Sequence, residues 1–64
     1  MINPIFQQMF DHSRTEKKGL VLFVKGLTIA GLVSSYSEEA VEMRSQQYDR
    51  IAVRIDRIDG MAYQ

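Results

Sequence analysis

The chain has 64 residues, a formal net charge of zero from eight basic and eight acidic side chains, and no cysteine. A chain this size makes one domain and buries only about 60% of the surface its unfolded form exposes, so it needs outside support. Disulfides and thiolate metal sites are excluded, and His12 is the only histidine, which speaks against a histidine zinc site within one chain. Association with other copies is the support that is left. A dedicated DNA-coating protein would be strongly basic, and this chain is not. The charge is uneven, however: residues 1–37 hold Arg14, Lys17, Lys18 and Lys25 against Asp11 and Glu16, while the remainder is acidic. Repetition in an oligomer would amplify that asymmetry.

The spacing predicts a helix over residues 3–12. Asn3 caps its first free amides, Pro4 fits its first turn, and Ile5, Phe6, Met9 and Phe10 recur as one apolar stripe opposite Gln7 and Gln8. So short a helix must lie on something. "SRTEKKG" reads as a polar connector. From Leu20 the pattern turns β-like: "LVLFV", a tight turn at Lys25-Gly26, and then the long run "LTIAGLVSSY". "AVEMRS" buries Val41 and Met43 against outward Glu42 and Arg44, and "QQYD" is a turn. "RIAVRI" places Ile51, Val53 and Ile55 inward, with Arg50, Ala52 and Arg54 outward. Asp56-Arg57 interrupts, and "IDGMAY" closes the chain as a fifth strand. "GLVLFV", the longest apolar run, is far below the ~20 residues that span a bilayer, and a soluble, cytoplasmic protein is expected.

One residue resists this pattern. Gly31 sits inside the long second strand, where glycine weakens a sheet. Ile29, Gly31 and Val33 share a face, yet the next large apolar residue, Tyr36, comes three positions later instead of two. The strand must bend or bulge to keep both inside, and glycine permits the close backbone approach at such a corner. A merely slack strand is the alternative.

"GLTIAGLVSSY", with its two glycines, following hydrophobe and aromatic, resembles the first motif of Sm and Sm-like proteins. "NPIFQQM" resembles the helix start of the bacterial RNA chaperone Hfq, and "AVEM" and "VRIDRI" fall where such proteins place their third strand and second motif. The resemblance spans nearly the whole chain. It implies one domain over 1–64: a mainly β, Sm-like (SH3-type) small barrel of five strongly bent antiparallel strands over 20–63, after a short N-terminal helix. It also implies a closed ring of five to seven subunits and a leaning toward single-stranded RNA or DNA. The pattern departs at binding positions. Ser37, Glu38 and Glu39 stand where an acidic residue and its neighbours are usual, Ile55 replaces the glycine after Arg54, the Lys-His pair of Hfq falls on Ile55 and Asp56, and its glutamine falls on Ile2.

Within that resemblance the break carrying Arg54, Asp56 and Arg57 faces the pore. Arginine pairs bidentately with phosphate and stacks on bases, so these residues, with Ser37, are candidate nucleic-acid contacts. Interface ion pairs with Asp56, Asp59 or Glu42 are the competing reading. Arg14, Lys17 and Lys18 form a candidate basic rim. Tyr48 and Tyr63 are candidate stacking platforms or simple packing, whereas Phe6, Met9, Phe10 and Phe23 are assigned to the core. No catalytic set, metal site or cofactor motif is visible, and Glu38-Glu39 reads as a charged turn. The expected function is non-catalytic nucleic-acid binding by a homo-oligomer. An SH3-like protein-interaction or assembly module without nucleic acid is the alternative.

Overall fold

A computed structural model describes residues 2–64. Helix α1 (Pro4–Glu16) starts as its sequence predicts, with the Asn3 side chain accepting from the Ile5 N–H at 2.8 Å and the Phe6 N–H at 3.4 Å. It runs one turn past the predicted end. Ser13 extends the Phe6–Phe10 stripe by three residues and is itself fully buried, a polar side chain on the apolar face. Lys17 then ends the helix in the left-handed region at φ 54°, and its N–H donates to the Ser13 carbonyl.

Five strands follow: β1 (Leu20–Val24), β2 (Leu27–Tyr36), β3 (Ala40–Arg44), β4 (Ile51–Arg54) and β5 (Gly60–Tyr63), with a 3-10 turn, Ile55–Arg57, before the last. They form one antiparallel sheet in the order β4-β3-β2-β1-β5. The Lys25-Gly26 turn has both residues at positive φ, 30° and 83°, as a two-residue hairpin requires. Asp59 holds this turn to the start of β5: its carboxylate accepts from the Lys25 N–H at 2.9 Å, and its own N–H donates to the Phe23 carbonyl at 2.8 Å.

Gly31 is where β2 changes neighbour. The β1 ladder runs from Val24↔Leu27 to Leu20↔Gly31, and the β3 ladder begins at Leu32↔Arg44. A Cβ at residue 31 would lie 2.2 Å from the Arg44 carbonyl oxygen, a separation no side chain tolerates. The expected irregularity is also present as a register shift between Val33 and Ser35, which keeps Val33 buried and turns Tyr36 toward the helix. Beyond the end of β1, α1 lies against β2, and the Val33 N–H donates to the buried Ser13 hydroxyl at 3.2 Å.

The core comprises Phe10, Leu20, Leu22, Ile29, Val33, Val41, Met43, Val53, Ile55 and Ile58. Two assignments are corrected. Ile5 is 64% exposed, because the helix turns its Phe6–Phe10–Ser13 line, not the Ile5 side, to the sheet. Phe23 is 44% exposed, because alternation along β1 sends Leu20 and Leu22 inward and Val21 and Phe23 outward. The sheet is open. β4 and β5 stand at its two ends, each with a ladder on one side only among the described residues.

Candidate nucleic-acid interface

At the break between β4 and β5, Arg54 ends the strand in extended conformation and the 3-10 turn follows. Ile55 and Ile58 are buried and anchor the turn, which leaves Asp56 and Arg57 in solvent. Arg54 Nη2 lies 3.0 Å from Asp56 Oδ2, with both side chains more than 60% exposed. An exposed pair of this kind contributes at most about 1 kcal/mol and leaves the guanidinium free to exchange partners. Arg57 makes no ion pair among the described residues. The adjoining cleft, about 440 Å³, is lined by Asn3, Phe6, Glu38, Glu39, Arg54, Ile55, Asp56 and Ile58. Three carboxylates therefore surround one guanidinium, a balance that repels phosphate. Ser37 braces the β2–β3 turn, its hydroxyl accepting from the Glu39 and Ala40 N–H groups at 3.2 and 3.3 Å.

The rim cations are set apart from this cleft. Arg14 belongs to the last turn of α1, where it pairs with Asp11 at 3.3 Å and lies over the Tyr36 ring at 5.8 Å. Lys17 and Lys18 are exposed at the helix end. The Tyr36 hydroxyl donates to Asp11 Oδ1 at 2.6 Å, and its ring meets Phe10 at 5.2 Å, so this cluster docks the helix on β2. That hydrogen bond to Asp11, helped by burial and by the Asp11 charge, raises the Tyr36 pKa above 10.0, with Gln7 and Arg14 opposing. The Tyr63 ring meets the His12 ring at 5.2 Å with the planes tilted by 49°, and Tyr48 stands exposed in the β3–β4 turn.

A different surface has the charge that a phosphate-bearing ligand needs. The cleft beside Gly31, about 640 Å³, is lined by Gly19, Thr28, Ala30, Gly31, Leu32, Arg44, Ser45, Gln46, Gln47 and Gln64. Among the described residues that line it, Arg44 has the only charged side chain, and the rest supply amides, hydroxyls, small side chains and the apolar Leu32. Phe23 pairs directly with Thr28 across the β1–β2 ladder, so its exposed ring stands on the same outer face, next to the cleft. The ring also covers Gly60, whose Cβ position would be 3.9 Å from Phe23 Cδ2, and shielding that glycine is its structural role. Reading the sequence singled out neither Phe23 nor Arg44 as a contact. The alternation of β1 carried the first signal, and the outward place of Arg44 in β3 the second.

Among the described residues, no three His, Cys, Asp or Glu side chains converge as a metal site would require. No helix among them is long and apolar enough to cross a membrane. Comparison with protein-family models, curated proteins and solved structures finds no match.

Proposed function

We propose that this chain is a non-catalytic binder of single-stranded RNA or DNA that works as a homo-oligomeric, Sm-like ring. The observation that carries the reading is the outer face of β1 and β2: an exposed Phe23 beside a cleft whose only charged side chain, among the described residues, is Arg44. Single strands are held by a combination of base stacking on aromatic faces and cationic contacts to the backbone, and stacking contributes about 1–3 kcal/mol per base. Neutral amides such as Gln46, Gln47 and Gln64 add donors and acceptors for base edges without repelling the strand. Two half-paired end strands support the ring. Pairing β4 of one copy with β5 of the next would satisfy both edges and add the buried surface that one small chain lacks. A ring would also repeat one Arg44 and one Phe23 per subunit, turning a weak single contact into an array.

Arg54, Asp56, Arg57 and Ser37 belong to this proposal as a second, weaker contact region, since a bound phosphate would have to displace Asp56 from Arg54. The carboxylates around that cleft favour the rival reading, a protein-interaction module, in which a basic partner segment docks there. Titration of labelled single-stranded oligonucleotides separates the two. The proposal expects salt-sensitive binding that falls at least tenfold in Phe23→Ala/Arg44→Ala and less in Arg54→Ala/Arg57→Ala. No binding at micromolar protein, or binding that neither double variant changes, refutes it. Retention of a protein partner through nuclease treatment would support the rival.

A further inference from the structure

We draw no further inference here: the strongest candidate, the cleft at the start of β3 lined by Glu38, Glu39, Arg54 and Asp56, is an acidic cluster that partly belongs to the region already described, and nothing in the structure shows what fills it.

Discussion

Replacing Gly31 by alanine tests whether the second strand needs a residue without a side chain to turn its corner. In an ordinary strand the change removes unfolded-state freedom and stabilises by about 0.4–1 kcal/mol wherever the backbone accepts a side chain. In β2 the new methyl carbon would lie 2.2 Å from the Arg44 carbonyl oxygen and 3.1 Å from Ser45 Cβ. Restoring ordinary contact at 3.4 Å means moving β3 away from β2 by about 1.2 Å at Leu32↔Arg44, the first pair of their ladder. The obstacle is backbone, so no rotamer change relieves it. Overpacking of this kind costs about 1–3 kcal/mol, and a weakened ladder hydrogen bond adds about 1 kcal/mol. The expected loss is about 3 kcal/mol, out of a total of roughly 3–10 kcal/mol for a domain of this length. At fixed protein concentration, circular dichroism melting should show a fall of about 12–24 °C. Gly60→Ala is the control: its Cβ would meet nothing closer than Phe23 Cδ2 at 3.9 Å, and a change within about 1 kcal/mol is expected. A Gly31→Ala protein as stable as the wild type, or more so, would refute the corner argument.

Ser13→Ala should cost about 1–3 kcal/mol by urea unfolding, because it leaves the Val33 N–H buried without an acceptor; Ser13→Thr, which keeps a hydroxyl, should recover part of that if the added methyl is accommodated. The stability that Tyr36 contributes should hold up to about pH 10 and be lost as pH rises further, since the unfolded chain then releases the Tyr36 proton before the folded chain does. Tyr36→Phe should be less stable at neutral pH and should lose part of that alkaline slope, which unfolding free energies measured from about pH 7 to 11 would reveal.

Most of the fold was legible because its signals are local. Asn3-Pro4, the Lys25-Gly26 turn and the alternation of Val41/Met43 and Val53/Ile55 each specify their element within a few residues. Gly31 was legible through a misfit in spacing, an irregularity that only a bend or bulge resolves. The end of the helix was not. Ser13 is polar by type and buried only because β1 stops at Leu20 and leaves the Val33 amide to the helix, a long-range fact. Phe23 was misassigned for the opposite reason: an aromatic in an apolar run suggests core, whereas its position in the pleat places it outside. The charge at each cleft was equally hidden. Arg54 and Arg57 stand out in the sequence, but Glu38 and Glu39, gathered beside Arg54, come from the turn between β2 and β3. Arg44 is set apart from acidic side chains only when β2, β3 and Gln64 meet.

The solution mass tests the central claim most directly. If the free margins of β4 and β5 are completed by sister chains, light scattering of nuclease-treated protein in dilute buffer should give a closed assembly of several 7.4 kDa chains, unchanged across a wide concentration range. A well-folded species of 7.4 kDa under the same conditions would contradict it.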